Sequence, residues 1–340
     1  MLRIRYAVPG GPEVLFAEEV PVPAPGPGEL LVRAEAVGVT LPVVRKVREA
    51  SEPIALGGEV AGTVTALGEG VTGFAVGERV TGLCFGHGYA EYAVLHTAMA
   101  SRVPGGATSV DAVALMRSGL VARGAWEAGR VRSGESVLVT AAASGVGSLA
   151  LQLARAGTTG RVVAAVSSPD KADFVRGLGA DDVVLYEDPA SWGDPYDVVL
   201  DGVGGELLGP AVRALATEGR LVAYGSGGGT VEAYELLVRG ASVTGFQIRA
   251  IAQGRPEVYE SWRRALWEAY AEGTLRPAVH EEIPLAEAAR AHRLVEERRN
   301  LGKVVLVPRG PGSTGTAPDP DLGVPERGRG RWGRCQPMCG

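Results

Sequence analysis

A run of small residues near the middle of the chain has the composition and position of a phosphate-binding turn. Residues 141–147 read Ala-Ala-Ala-Ser-Gly-Val-Gly, follow the apolar run 136–140 and precede residues 148–156, whose apolar positions have helical spacing. Backbone amides at a helix N-terminus bind anions, and small residues let a pyrophosphate come close. We therefore predict that this turn binds the pyrophosphate of a dinucleotide; an ordinary tight turn between a strand and a helix is the alternative. The residues predicted to contact the cofactor here are Ser144, Gly145, Val146 and Gly147.

The end of the next predicted strand, residues 161–166, distinguishes an NAD site from an NADP site. An NAD site places Asp or Glu there for the ribose hydroxyls, and that carboxylate repels a 2′-phosphate. This chain instead continues with Ser167, Ser168 and, three residues later, Lys171. Because hydroxyl donors and an ammonium group suit a phosphate dianion, we predict NADPH as the cofactor. The alternative is that Ser168 only caps the following helix and that Lys171 is solvated, and Asp170 adds a nearby negative charge.

The segments around this turn alternate between apolar strands and helices from about residue 135 to residue 246. Nearly continuous valine-rich strands separated by helices are typical of a parallel sheet covered on both faces. We therefore predict an α/β fold with a doubly wound sheet of the Rossmann type. The predicted strands are 136–140, 161–166, 182–186, 197–200 and 220–224, and the predicted helices are 148–156 and 170–178.

The first part of the chain, to about residue 104, predicts a β-rich domain because short alternating stretches lie between glycine- and proline-rich turns. A segment with helical spacing at 111–130 connects it to the second domain, and residues 261–273 and 285–297 have helical spacing as well. The last apolar strand, 303–307, has no room to begin a new sheet, so we predict that it returns to the first domain.

These elements define a discontinuous organisation. We predict a catalytic domain over 1–118 and 265–308 and a nucleotide-binding domain over 119–264. After Pro308 the composition is dominated by Gly, Pro, Arg and Asp, so residues 309–340 are predicted to form a disordered tail.

The bulk properties restrict the class of partner. The chain has 340 residues, a hydrophobic content of 46%, a net charge of -5 and four histidines. No apolar run reaches the ~18 to 20 residues of a membrane span, and no polybasic face suggests a nucleic-acid partner. Three cysteines, of which two lie in the predicted tail, give no disulfide framework, and residues 1–12 lack the apolar core of a signal peptide. We predict a cytoplasmic protein with a small-molecule substrate.

Seven stretches of the chain resemble, in order, the quinone oxidoreductase, or zeta-crystallin-like, branch of the medium-chain dehydrogenase/reductase superfamily, which includes the enoyl-reductase domains of polyketide synthases. They are residues 57–64 (GGEVAGTV), 76–80 (VGERV), 88–92 (GYAEY), 141–147 (AAASGVG), 178–181 (LGAD), 201–205 (DGVGG) and 219–222 (GRLV). This resemblance implies a GroES-like, β-rich catalytic domain beside the Rossmann domain, a cleft between them, and a homodimer.

The resemblance also implies the remaining cofactor contacts. Ser167, Lys171 and Tyr186 would surround the 2′-phosphate, although Tyr186 is equally well explained as a strand-end tyrosine. Along the nicotinamide half would lie Gly225, Ser226 and Phe246, and Arg298 would reach the cofactor from the last segment.

Residue types argue against zinc. A catalytic zinc in this superfamily needs cysteine and histidine ligands in the first domain, and Gly58 replaces the histidine of the zinc-type Gly-His-Glu motif. Cys84 has no partner cysteine in the body of the chain, and His87 and His96 are explained as ordinary surface or packing residues. We predict no metal.

The positions around the substrate depart from the family pattern. Thr40 and Val43 stand where the family usually has an asparagine and an aspartate, and Val121 stands where a threonine often bonds the nicotinamide carboxamide. The segment 41–51, which we interpret as a loop, is basic; its charges either steer an anionic substrate or are simply solvated. We predict Thr40 and Arg45 as substrate-binding residues, although no catalytic residue is assigned.

The family chemistry would be hydride transfer from NADPH to a quinone or to the β-carbon of an α,β-unsaturated carbonyl, with positioning supplying much of the rate. Two alternatives remain. One is a tailoring reductase of secondary metabolism that acts on a specialised or carrier-bound intermediate. The other is an NADPH-binding protein with little turnover, which the substituted active-site positions favour.

Overall fold

A computed structural model describes residues 1–84, 86–157 and 160–308, and all of them belong to one compact unit. The predicted disordered tail, 309–340, lies outside the described residues. None of the described helices is both long enough and apolar enough to cross a membrane.

The described strands fall into a parallel sheet, a mainly antiparallel sheet and a small hairpin. In chain order they are β1 (Leu2–Arg5), β2 (Phe16–Glu19), β3 (Glu29–Val39), β4 (Val60–Leu67), β5 (Arg79–Gly82), β6 (Tyr92–His96), β7 (Ala100–Arg102), β8 (Val137–Val139), β9 (Val162–Val166), β10 (Asp182–Leu185), β11 (Tyr196–Asp201), β12 (Leu215–Ala223), β13 (Ser242–Gly245), β14 (Val279–Pro284) and β15 (Lys303–Val307).

The helices alternate with the strands in the second half of the described chain. They are α1 (Leu41–Glu49), α2 (Ser109–Gly129), α3 (Gly145–Gly157), α4 (Ala172–Gly177), α5 (Leu208–Arg213), α6 (Ala233–Leu237), α7 (Ile248–Gly254), α8 (Pro256–Glu272) and α9 (Ala288–Glu296).

The parallel sheet confirms the Rossmann prediction. Its six strands lie in the order β10-β9-β8-β11-β12-β13, and every neighbouring pair is parallel. All five residues of β9 are buried, as expected for a strand covered on both faces. The strand order reverses between β8 and β11, so a crevice opens there at the carboxyl ends of the strands, where ligands bind in such sheets.

The β-rich sheet contains strands from both ends of the described chain. Its order is β14-β15-β3-β4-β5-β7, with β6 also pairing with β3. Val304 of β15 lies opposite Val39 of β3 in an antiparallel register, so the last described strand returns to the sheet built by the first hundred residues. The domain boundaries, 1–118 with 265–308 and 119–264, stay a prediction.

The interpretation of residues 41–51 as a loop was wrong, because the segment forms α1. Pro42 stands in the first turn, where proline is favoured, and Val43, Val44 and Val47 are buried. The spacing of these valines places them on one face of the helix, against the core. The basic residues of the segment consequently lie on the other faces.

Candidate functional site

One large cleft collects most of the predicted site residues. Its empty volume is about 1250 Å³, open solvent at its mouth included. Its walls are the residues that follow β8, β9, β10, β11 and β12 on one side, and the end of β3, the start of α1, α2 and the segment before β15 on the other. The predicted residues that line it are Thr40, Arg45, Ser144, Gly145, Val146, Ser167, Lys171, Tyr186, Gly225, Ser226 and Arg298.

The phosphate-binding turn occupies the centre of the cleft. The Ser144 hydroxyl accepts a hydrogen bond of 3.0 Å from the Gly147 N–H. Within the described chain, the Val146 amide at the start of α3 has no acceptor, whereas the Gly145 amide faces the Gly302 carbonyl in the bridge between Ser144 and Gly302. The N-terminus of this 13-residue helix therefore offers the Val146 amide to an anionic ligand, with the Gly145 amide beside it.

Gly147 does not line the cleft, and its role is close packing. A Cβ atom added to it would lie 2.1 Å from the carbonyl oxygen of Ala141. Any side chain there would push the helix away from the strand, so Gly147 fixes the position of the turn.

The turn is also held from the opposite sheet. The N–H of Gly302, directly before β15, donates to the carbonyl of Ala143 at 2.7 Å. Asn300, Gly302 and Lys303 all line the cleft. The segment before β15 therefore joins the β-rich sheet to the phosphate-binding turn.

A cationic end of the cleft contains the three lining residues predicted at the 2′-phosphate, Ser167, Lys171 and Tyr186, together with Arg298, which was predicted to reach the cofactor from the last segment. The Lys171 ammonium donates to the backbone carbonyl of Arg298, and the Arg298 side chain has no hydrogen-bond or ion-pair partner among the described residues. The Tyr186 hydroxyl accepts from the Ala141 N–H at 2.8 Å, which leaves its own proton free to donate. Ser167 lies beside them in the cleft wall. Two cations and two hydroxyl donors converge here, the combination that suits a phosphate dianion.

Burial affects this end of the site. Burial lowers the pKa of Lys171, and the nearby Asp170 carboxylate partly offsets this by raising the same pKa. Ser168 does not line the cleft; it precedes the 3₁₀ turn Pro169–Lys171, and its hydrogen bond lowers the pKa of Asp170. The contact predicted between Ser168 and the cofactor stays a prediction.

The opposite end of the cleft lies between α1 and the loop after β12. The Arg45 guanidinium donates to the Ser226 hydroxyl at 3.3 Å and so bridges the two walls. A Cβ atom on Gly225 would lie 2.3 Å from the Gly202 carbonyl oxygen, so only glycine fits this loop. Phe246 does not line the cleft; its ring packs 6.3 Å from that of Trp262, and its predicted cofactor contact stays a prediction.

Two of the three substituted positions line this end of the cleft. Thr40, 7% exposed, lines it at the N-cap of α1, and Val121 lines it from α2. Val43 is buried below Thr40 in α1 and does not reach the cleft. Among these three, Thr40 is the residue that offers a hydroxyl to a ligand.

Sequence reasoning missed two charged residues in the cleft wall, Arg117 and Lys303. Lys303 is buried and forms an ion pair with Glu59, which is 2% exposed. Glu59 belongs to the stretch 57–64, one of the seven stretches that carry the family resemblance. Arg117 lies four residues before Val121 on α2. That helical spacing was the available signal, since residues four apart share a face.

The donor set does not fit a catalytic zinc. The Cys84 thiol is buried, and burial raises its pKa to about 12, which opposes the thiolate that zinc requires. The His96 Nδ1 accepts from the Ala98 N–H at 3.1 Å, and His87 lies 3.5 Å from Arg3. Within 1–84, 86–157 and 160–308, no group of three or more His, Cys, Asp or Glu side chains could hold a metal. That the protein works without a metal stays a prediction.

Two family models match the chain. Residues 26–106 match the alcohol dehydrogenase GroES-like domain, and residues 178–306 match the zinc-binding dehydrogenase family. The first match confirms the predicted GroES-like domain. The second carries a name that refers to zinc, although the part of the chain that the structure describes contains no fitting set of ligands.

Individual relatives extend over nearly the whole chain. A quinone oxidoreductase of Pseudomonas aeruginosa is 33% identical over 90% of this chain and 99% of its own length. A 2-haloacrylate reductase of a Burkholderia species is 31% identical over 88% of this chain and 97% of its own. The structure of a mycobacterial protein complexed with NADPH superposes with a TM-score of 0.83 at 33% identity, covering 91% of this chain and 100% of that one. The chain belongs to the quinone oxidoreductase branch of the medium-chain dehydrogenase/reductase superfamily.

Proposed function

We propose that this protein is an NADPH-dependent reductase that delivers hydride to a quinone or to the β-carbon of an α,β-unsaturated carbonyl. One observation carries the proposal: the anion-binding turn, a dicationic phosphate end and an acceptor end that combines hydrogen-bond donors with apolar side chains line a single cleft. The relatives named quinone oxidoreductase and 2-haloacrylate reductase, and the mycobacterial structure with NADPH, support this reaction class and this cofactor.

The residues present fit NADPH. The amides of Gly145 and Val146 would hold the pyrophosphate, and Lys171 with Arg298 would hold the 2′-phosphate. Gly225 lets the loops after β11 and β12 pack closely, since a Cβ atom there would meet the Gly202 carbonyl oxygen, and the loop after β12 would line the nicotinamide half. When bound, NADPH supplies two electrons and a proton as hydride and becomes NADP⁺.

The residues of the acceptor end orient the acceptor and stabilise charge. Hydride adds to the β-carbon of an enone, negative charge develops on the carbonyl oxygen, and a solvent proton then reaches the α-carbon. Thr40 and Arg45 can donate to that oxygen as its charge grows, when hydrogen bonds to it strengthen. Val39, Leu41 and Val121 make the surrounding wall apolar, which keeps water from the reacting atoms.

The proposal includes catalysis without zinc. Gly58 supplies no ligand, and the protonated, buried Cys84 thiol is a poor one. Elemental analysis of purified, active protein should therefore find no stoichiometric zinc, and a chelator should leave turnover unchanged. Loss of turnover on chelation, restored by zinc, would refute this part.

The proposal also includes a homodimer formed through β13. This strand ends the parallel sheet, and within the described chain it pairs with β12 alone. Next to it, Tyr234, Leu237 and Val238 are 73%, 74% and 55% exposed. An exposed sheet edge beside apolar side chains favours pairing with a second copy. Light scattering that gives a monomer mass at all concentrations would refute it.

A cytoplasmic location, which the free Cys84 thiol supports, belongs to the same proposal.

The functional test is NADPH oxidation with 1,2-naphthoquinone and with a simple enone as separate acceptors. The proposal predicts NADPH consumption that depends on both protein and acceptor. Tight NADPH binding with no consumption would favour a specialised or carrier-bound acceptor, or a binding role. Absence of NADPH binding would refute the proposal.

A further inference from the structure

The charged side chains that line the described part of the cleft are all cationic: Arg45, Arg117, Lys171, Arg298 and Lys303. Neither Asp nor Glu contributes to its wall within the described chain. Lys171 and Arg298 lie at the end assigned above to the 2′-phosphate. The other three lie toward the acceptor end and the centre, where a neutral quinone or enone would need no compensating charge.

One of those three cations is already neutralised. Lys303 is 5% exposed and pairs with the buried carboxylate of Glu59. Because Glu59 neutralises it, the charge of Lys303 is not available to attract an anionic ligand into the cleft.

Arg117 is different because its charge is uncompensated. It is partly buried on α2, lines the cleft close enough to Lys303 to lower that residue's pKa, and has no hydrogen-bond or ion-pair partner in the described residues. Arg123, six residues later on the same helix, pairs with Glu127 at 2.7 Å. A partly buried guanidinium without a partner costs free energy, and an anionic ligand would offset that cost.

Arg45 faces the cleft from α1 and keeps spare donors. Its recorded contact is the neutral hydroxyl of Ser226, 3.3 Å away. A guanidinium group has five N–H donors arranged as a planar fork, so one hydrogen bond leaves most of them free. Its neighbour Arg48, by contrast, is neutralised by Glu296 at 2.6 Å.

We propose that Arg117 is an acceptor-binding residue. Together with Arg45, it makes the enzyme select acceptors that carry an anionic group, such as a carboxylate or a sulfonate, beside the reducible bond. The inference rests on the proposed function and narrows its substrate class. Arg117 lies on the same face of α2 as Val121, four residues away, at the acceptor end. Two forked cations that line one cleft, Arg45 from α1 and Arg117 from α2, can hold a planar anion in one orientation, which fixes the carbon presented to the hydride.

The pyrophosphate of the cofactor is a second source of negative charge within the same cleft. The amides at the start of α3 would bind it, and the Lys303 side chain also lies near them. If Arg117 binds the acceptor, its replacement should change which acceptors are reduced. If Arg117 binds the pyrophosphate, its replacement should instead weaken the binding of NADPH.

The test compares acceptors matched in structure and different in charge. The pairs are 1,4-naphthoquinone-2-sulfonate with 1,4-naphthoquinone, and 4-oxopent-2-enoate with its methyl ester, all at saturating NADPH. For each protein the ratio of kcat/KM, anionic over neutral, is measured, so that intrinsic reactivity cancels between variants. Arg117→Met and Arg45→Met remove the charges, Arg117→Lys retains one, and Arg123→Met is the control on the same helix.

We expect Arg117→Met to lower the anionic-to-neutral ratio about 10- to 100-fold while the Kd for NADPH stays unchanged. Arg117→Lys should restore part of the ratio, and Arg123→Met should leave it unchanged. If Arg117→Met does not fold, Arg45→Met and Arg117→Lys should still lower the ratio.

An equal loss with both members of a pair, together with weaker NADPH binding, would assign Arg117 to the cofactor and overturn the inference. An unchanged ratio in both Met variants would overturn it as well, and turnover of the neutral acceptors would then leave the proposed function intact. Wild-type protein that reduces neither member of either pair would instead refute the proposed function, and the inference with it.

Discussion

The Lys171 ammonium donates a hydrogen bond to the backbone carbonyl of Arg298, a residue 127 positions later in the chain. The contact joins the loop after β9 to the segment before β15, and both side chains line the same end of the cleft. It holds two positive charges together without a carboxylate between them. Such an arrangement is stable when a dianion binds, which is the physical basis for NADPH preference in this account.

Replacing Lys171 should therefore change cofactor choice. Lys171→Ala is expected to raise the Kd for NADPH about 10- to 100-fold, because a charge-assisted hydrogen bond is lost, and to change the Kd for NADH little. Fluorescence titration with each cofactor measures this. Lys46→Ala, which alters an exposed lysine outside the cleft, should change neither Kd. Equal weakening of both cofactors by Lys171→Ala would contradict a contact with the 2′-phosphate.

A methyl group on Gly147 should damage the phosphate-binding turn. Its Cβ would lie 2.1 Å from the Ala141 carbonyl oxygen, so Gly147→Ala is expected to lower the free energy of unfolding by about 1 to 3 kcal/mol and to weaken NADPH binding. Urea unfolding and titration measure the two effects. Gly177→Ala, at a helical glycine with no atom within 4 Å of the added Cβ, should be neutral or slightly stabilising. A Gly147→Ala protein with wild-type stability would show that the turn tolerates displacement.

Removing the Thr40 hydroxyl should affect the chemical step more than cofactor binding. Thr40→Val preserves shape but removes the donor nearest the proposed acceptor oxygen, so kcat is expected to fall about tenfold or more while the Kd for NADPH is unchanged. Steady-state kinetics with an enone provide the measurement. An unaltered kcat would exclude Thr40 from stabilising the developing charge.

The buried histidine of α9 should make stability depend on pH. His292 lies 3.1 Å from the Tyr89 hydroxyl, and burial lowers its pKa from 6.5 to about 4. The unfolded chain binds a proton below pH 6.5 that the folded protein resists until about pH 4. The contribution of neutral His292 to the free energy of unfolding is therefore complete above pH 6.5. Between pH 6.5 and about pH 4 it falls by about 1.4 kcal/mol per pH unit, which amounts to roughly 3 kcal/mol over the whole range.

Urea unfolding at pH 7 and pH 5 tests this linkage. His292→Phe should reduce the difference in the free energy of unfolding between the two pH values. The same pH dependence in wild type and His292→Phe would assign the effect to other groups.

The buried ion pair between Glu59, directly before β4, and Lys303, at the start of β15, should couple these two residues energetically. Glu59→Gln and Lys303→Met each leave one buried group without its partner, at a cost of about 3 to 5 kcal/mol. Removing both should cost less than the sum of the single changes. A double-mutant cycle in urea measures the coupling, and strictly additive losses would show that the pair is not energetically linked.

The sequence predicted the parallel sheet well because its strands are covered on both faces and therefore read as uninterrupted apolar runs. All five residues of β9 are valine or alanine and are buried, a continuous apolar run rather than the spaced pattern of one helix face. The edge strand β14 was not predicted, since its sequence, Val-His-Glu-Glu-Ile-Pro, mixes exposed charges with a single fully buried residue. Helix α1 was missed because its polar faces made the segment look like a loop.

The site was predictable where one local motif carries it and unpredictable where it depends on tertiary contacts. Residues 141–147 combine strand end, turn and helix start within one stretch, so their place in the cleft followed from spacing. The pairing of Glu59 with Lys303 spans 244 positions, which no local pattern records. Arg117 was not predicted because α2 is buried on most of its surface, and the spacing of four residues from Val121 was the one local signal that its side chain faces the cleft.

The most direct measurement of the central claim is transfer of a labelled hydride. The protein is incubated with NADPH that carries deuterium at both C4 positions of the nicotinamide and with 4-oxopent-2-enoate or its methyl ester, and the product is analysed by mass spectrometry and NMR. One deuterium is expected at C2, the carbon β to the ketone, and a solvent-derived proton at C3, the α-carbon, while the ketone itself is retained. Product without deuterium, or label that appears only in water, would contradict direct hydride delivery from the cleft.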